Sequence, residues 1–166
     1  MGSYHSADRP GQDDPYADLP IDPDAVRPIH LRVSALAWVF AGGMVGTGLR
    51  YGVEQLLPAE GTGWPWGTFL VNVLGAFLLG ALLEGLVLAG DDDGWRRRTR
   101  LLAGTGFCGS FTTYSTFALE ASLLAHRGAA LVAVGYGVTT VIVGLLCAWL
   151  GIAAAGALLG RRGEVS

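Results

Sequence analysis

Four long apolar runs set the pattern of this chain: Val33 to Leu49, Thr68 to Ala89, Leu101 to Ala125 and Ala129 to Leu159. Each meets or approaches the roughly 20 residues a helix needs to cross a hydrocarbon core of about 30 Å. The pattern predicts an all-α membrane protein with four transmembrane helices, over about 33–57, 67–89, 101–125 and 129–157. These belong to one membrane domain spanning 31–160. The last run exceeds the need, so Gly151 to Leu159 tilts, frays or continues into the interface. Residues 1–30 break the pattern with six Asp and five Pro, a composition that buries too little to offset ordering entropy, and are expected to be a disordered acidic tail. The start lacks a basic stretch leading straight into an apolar core, so no secretory signal is expected. Residues 161–166 make a short C-terminal tail.

Composition agrees with the pattern. Charged residues are 15% of the 166, against about 25% for soluble domains. Mean hydropathy is +0.44. The placement of arginine adds an orientation: Arg27, Arg32, Arg96, Arg97, Arg98, Arg100, Arg161 and Arg162 fall on one side, Arg50 and Arg127 on the other. Basic residues near span ends stay in the cytoplasm, which predicts that both termini lie there. Cys108 and Cys147 lie inside predicted spans without metal-ligand spacing, and His5, His30 and His126 lie outside them. Glu54, Glu84 and Glu120 occur one per span, each near an end, which suits solvated termini better than acid–base catalysis. No enzyme is expected, and no nucleic-acid partner.

Within the spans, Gly42 and Gly46, and likewise Thr140, Gly144 and Ala148, make small-residue faces for close helix packing. The polar content exceeds packing needs. Asn72 sits at the centre of its run, and Tyr136, Thr139 and Thr140 share the fourth. An amide in lipid must face a partner helix or a watery path. The stretch GFCGSFTTYSTF, Gly106 to Phe117, combines glycines and poor helix formers, so the third helix is expected to break near Gly109 to Thr113. Freed carbonyls there suit a small cation, while the hydroxyls of Thr112, Thr113, Ser115 and Thr116 can donate to an anion; a kinked helix bonded to its own backbone is the alternative. Tyr114 and Phe117 share a helix face and can offer ring edges to an anion, or simply pack. These features point to a narrow path for a small ion, and four short helices are too few to enclose one without an oligomer.

In order and spacing, GGMVGTGLRYG (Gly42 to Gly52), GTFLVNVLGAFLLG (Gly67 to Gly80) and GFCGSFTTYSTFALE (Gly106 to Glu120) resemble the signature segments of the CrcB/Fluc family of bacterial fluoride channels. The resemblance covers Val33 to about Leu159. It implies a multi-pass protein of the bacterial cell membrane, an antiparallel dimer with two fluoride pores, and a structural sodium ion at the dimer centre. It places Asn72, Tyr114, Phe117, Ser115, Thr116, Tyr136 and Thr140 along the pore. Tyr114 stands where the family carries phenylalanine. Arg50 would draw anions into a vestibule, and the carbonyls of Gly109 and Thr112 would hold the sodium.

Fluoride is small and tightly hydrated, so conduction requires several moderate donors in sequence to replace its water. An antiparallel pair of identical chains needs one sequence to insert both ways, and an arginine bias of eight to two opposes that. A homologous second subunit of opposite bias is therefore the favoured partner, within membrane lipid. Two other classes stay open: a small four-helix multidrug exporter, which would need a carboxylate at the centre of a span, and a membrane assembly protein, for which the polar residues would only join helices.

Overall fold

The structure, a computed structural model, describes residues 33–160. The acidic tail, the C-terminal tail and four of the tallied arginines, Arg27, Arg32, Arg161 and Arg162, lie outside the described residues. The described chain is all-helical. Helix α1 runs Val33–Leu56, α2 Trp66–Ala89, α3 Gly94–Thr99, α4 Gly109–Phe111, α5 Tyr114–His126 and α6 Ala130–Leu159, with a wide-turned π-helical segment, Arg100–Cys108, joining α3 to α4. Three of them, α1, α2 and α6, are long and apolar enough to cross a membrane. The third apolar run is divided among the π segment, α4 and α5, none of them 18 residues long.

Local chemistry sets the boundaries. Pro58 and the glycines that follow stop α1 from continuing, and Gly61 takes φ +57°, a conformation that a side chain would strain. Gly90, at φ +111°, ends α2. Asp93 opens α3 by accepting from the Gly94 N–H at 2.7 Å. Arg96, Arg97 and Arg98 are thereby helical, upstream of the predicted start of the third span at Leu101. Gly109 N–H reaches back to the Gly104 carbonyl, the five-residue step that widens the helix. The helical course then stops. Thr112 has φ −79° and ψ 157°, Thr113 has φ −145° and ψ 124°, and α5 resumes at Tyr114.

Two glycine seams hold these pieces together. Gly42 and Gly46 of α1 lie against the backbone of Leu102, Phe107 and Phe111, and Gly106 lies against Val39 and Gly42 in return. Gly80 of α2 meets the backbone of Ala148, while Gly151 of α6 meets Phe77 and Ala81. A Cβ at Gly151 would stand 2.8 Å from the Ala81 nitrogen, closer than real side chains come. With no hydrophobic drive between helices in lipid, such close approach supplies the dispersion energy of association. The face expected from Thr140, Gly144 and Ala148 divides: Thr140 is buried and Ala148 carries the seam, but Gly144 meets nothing within 4 Å. Leu, Val and Trp side chains on the outward faces of α1, α2 and α6 stay exposed, as lipid-facing surfaces require.

Candidate functional site

The polar chemistry converges on Thr113. Its extended backbone turns its N–H and C=O out of helical register, where each needs a partner. Asn72 on α2 supplies both. Its Nδ2 donates to the Thr113 carbonyl at 3.0 Å, and its Oδ1 accepts from the Thr113 N–H at 2.8 Å. One side-chain amide thus satisfies both backbone polar groups of one residue. The Thr113 hydroxyl caps α5 by accepting from the Thr116 N–H at 3.2 Å, donates to Thr116 Oγ1 at 3.1 Å and lies 3.3 Å from Ser115 Oγ.

This pairing leaves particular carbonyls without their helical donors. In an uninterrupted helix the Gly109 carbonyl would accept from Thr113 N–H and the Thr112 carbonyl from Thr116 N–H. Both donors are directed elsewhere, to Asn72 Oδ1 and to Thr113 Oγ1. Thr112 itself is tied back, its N–H and hydroxyl both donating to the Cys108 carbonyl at 3.1 and 3.0 Å. Gly109 is helical and exposed, with open space where a side chain would stand.

An open groove of about 460 Å³ lies over the interruption, lined by Asn72, Thr112, Thr113, Tyr114 and Phe117 on one side and by Thr140, Gly144 and neighbouring residues of α6 on the other. The fold therefore brings together five of the ten residues that the resemblance assigned to pore, vestibule and sodium: Asn72, Thr112, Tyr114, Phe117 and Thr140. Tyr114 is 81% exposed at the rim. Phe117 packs against the fully buried Tyr136, ring centroids 5.0 Å apart. Thr116 and Ser115 sit beside the groove on the first turn of α5, bonded to Thr113. Arg50 is half-buried on α1 and Gly109 lies on the helix leading into the interruption, both outside the groove lining.

Behind Phe117 the polar groups continue. Tyr136 donates its hydroxyl to Glu120 Oε2 at 2.9 Å, and Thr68 on α2 donates to Glu120 Oε1 at 2.9 Å. Thr140 donates to the Tyr136 carbonyl at 2.7 Å. Glu120 is thus no solvated helix end, as its place in the sequence suggested, but a half-buried carboxylate with both oxygens occupied. Thr68 and Glu120 are the site residues that sequence reasoning missed. Their signal was available in helical spacing, since Glu120 lies one turn from Phe117 and Thr68 one turn from Asn72. Trp64 meets Tyr136 edge-on at 5.6 Å, and its buried indole nitrogen has no acceptor among the described residues.

The arrangement is a chain of neutral donors and ring edges with the Glu120 carboxylate at its inner end. The Tyr136, Thr140 and Thr113 hydroxyl protons are engaged. The second N–H of Asn72 and the hydroxyl proton of Thr116 are not engaged among the described residues, so they can turn to an anion without breaking the fold.

Residues 37–152 match the family described as "CrcB-like protein, Camphor Resistance (CrcB)". The chain is 45% identical over 124 residues to the "Fluoride-specific ion channel FluC 1" of Cutibacterium acnes, covering 75% of this chain and 87% of that protein. It is 40% identical over 136 residues to the "Fluoride-specific ion channel FluC 2" of Leifsonia xyli subsp. xyli, covering 82% and 93%. Over 105 residues it is 49% identical to the "Fluoride-specific ion channel FluC 1" of Natronomonas pharaonis, covering 63% and 83%.

Proposed function

The chain belongs to the CrcB-like family, and we propose that it is a fluoride-specific ion channel, a multi-pass membrane protein through which cytoplasmic fluoride leaves the cell down its gradient. The relatives named above carry that function in their names. The observation in this chain that supports it best is the Asn72–Thr113 pairing within a groove walled by Phe117 and Tyr114. It offers uncharged donors and ring edges, each able to hold fluoride moderately, and no fixed cation to trap it. Neither an exporter's central carboxylate nor a merely adhesive polar face explains an amide and a hydroxyl with spare donors over one groove.

Passage through the track requires the Tyr136 and Thr140 hydroxyls to turn from their present acceptors toward the ion. Glu120, which accepts from the Tyr136 hydroxyl, must give up that hydrogen bond for the hydroxyl to turn. Arg50 would concentrate anions at the entrance to the path.

The Gly109 and Thr112 carbonyls, deprived of their helical donors, fit a sodium ion, which binds hard neutral oxygen ligands. Such an ion would bring fixed positive charge and join two interrupted helices across an antiparallel dimer, the assembly we propose. The termini lie in the cytoplasm on the arginine count, and the second subunit is a homologue of opposite bias rather than a second copy.

Fluoride efflux from liposomes, read with an ion-selective electrode and compared with chloride, tests the function. Rapid fluoride loss without chloride loss is expected, and Phe117→Ile, which removes the ring on Tyr136, should slow it sharply in protein that still assembles. Efflux no faster than from empty liposomes would refute the channel. Thr112→Ser should leave a central sodium in diffraction data, because the ligands are backbone oxygens; coordination by carboxylates would refute that site. Expression of the chain alone, with terminus accessibility mapped, tests the partner: mixed orientation with full fluoride resistance would refute the heterodimer.

A further inference from the structure

A second polar groove, of about 470 Å³, opens at the opposite end of α1 from Arg50, lined by Ser34, Ala35 and Trp38 of α1, Asp93, Gly94, Arg97 and Arg98 at α3, and Leu101. We propose that it binds the headgroup of an anionic glycerophospholipid, a reading that rests on the membrane location of the chain and not on what the channel conducts. The arginines beside it are not equivalent. Arg100 is paired bidentately with the Asp92 carboxylate, Arg97 lies on Asp92 and 3.8 Å from Asp93 Oδ1, and Arg96 donates to the Asp91 carbonyl. Arg98 is exposed and has no ion pair among the described residues. A full guanidinium thus lines the groove with no hydrogen-bond or ion-pair partner among the described residues, and its fork of donors suits a phosphodiester.

The surroundings specify a lipid rather than a free anion. Trp38 of α1 forms one wall and Trp95, 60% exposed, stands on α3 beside the arginines, aromatic rings at the level where spans meet headgroups. Val33, 80% exposed, continues the apolar surface beyond the groove, along which an acyl chain can lie. Asp93, its side chain 80% exposed, adds an acceptor at the rim. That carboxylate disfavours inorganic phosphate but accepts from the hydroxyls of a glycerol headgroup, and Ser34 can donate to the phosphate.

The test is native mass spectrometry of the full chain in detergent, titrated with phosphatidylglycerol, phosphatidic acid, phosphatidylcholine and inorganic phosphate. Phosphatidylglycerol should be retained over phosphatidylcholine, and Arg98→Gln should weaken that retention about fivefold, the effect of one basic residue at an anionic surface. Arg98→Lys should recover most of it. Asp93→Asn should shift preference toward phosphatidic acid, whose headgroup lacks the glycerol hydroxyls. Because Arg98 is exposed and has no ion pair among the described residues, its variants should melt with the parent in phosphatidylcholine. Equal phosphatidylglycerol retention by the parent and Arg98→Gln overturns the proposal, as does displacement by inorganic phosphate at equal concentration. Slow hydrogen exchange over residues 8–24 that Arg98→Gln releases would assign the groove to the chain's own acidic segment instead, and overturn it equally.

Discussion

The α2–α6 seam and the interruption before α5 hold the same bundle with opposite materials. At the seam there is almost no chemistry: Gly80 and Gly151 place backbone against backbone, and the contact is set by the absence of side chains. At the interruption there is almost nothing but chemistry, since Asn72 meets both polar groups of Thr113 and the Thr113 hydroxyl caps α5. A glycine seam tolerates no addition, and a polar hinge tolerates no subtraction. The first fixes the distance between α2 and α6. The second fixes where α5 points, and with it the ring of Phe117.

The largest expected effect breaks the seam. Gly151→Ala would put a methyl group against the Phe77 and Ala81 backbone, which cannot yield as a flexible side chain can. A loss of about 3 kcal/mol, the upper end for overpacking, is expected. Gly52→Ala, the same chemical change where nothing lies within 4 Å, should leave the melting temperature unchanged or slightly raised. Equal melting of the two variants would show that the seam is not the constraint described. Next comes subtraction at the hinge. Asn72→Leu keeps the bulk but leaves the Thr113 N–H and carbonyl unpaired, at a cost of about 2 kcal/mol. Fluoride flux should fall with it, because the interruption loses the group that holds it extended. Parental thermal stability together with parental flux would remove Asn72 from both roles.

How legible this was in the sequence differs between the two regions for a physical reason. Gly42 and Gly46 were visible as a small-residue face because both partners of a helical repeat lie in one run. Gly151 entered only as the start of the surplus end of the last run and not as a packing residue, since that role depends on Phe77 across the bundle and a lone glycine carries no period. Composition pointed to a break near Gly109 to Thr113; within that stretch the residues outside helix are Thr112 and Thr113. What composition could not reveal was its partner, because the Asn72–Thr113 contact joins residues 41 apart. Separation along the chain hid the role of Glu120 as well. A carboxylate near a helix end looks solvated until Thr68 and Tyr136 are brought to it from two other helices.

A milder subtraction sharpens the comparison by separating the hinge from its cap. Thr113→Val retains the β-branched shape and the backbone pairing to Asn72, but removes the hydroxyl that accepts from Thr116 N–H. The expected loss is about 1 kcal/mol, that of an N-cap. Thr113→Ser should restore most of it in thermal unfolding, since the acceptor returns. A Val variant as stable as the parent would mean that α5 is held by Asn72 alone.

The smallest effect is expected where the groove meets its surroundings. Tyr114 and Phe117 lie on one face of α5, their ring centroids 6.3 Å apart, yet only Phe117 is packed against Tyr136. Tyr114 is 81% exposed, and its hydroxyl has no hydrogen-bond partner among the described residues. Removing that oxygen with Tyr114→Phe takes away neither a bond that holds the fold nor a group that orients a neighbour. Stability should therefore stay within about 0.5 kcal/mol, as for surface substitutions away from structural features. Fluoride efflux should stay within about twofold, since the ring edge that could face the ion is retained. A larger fall in flux at unchanged stability would place the Tyr114 hydroxyl in the conduction path as a donor of its own.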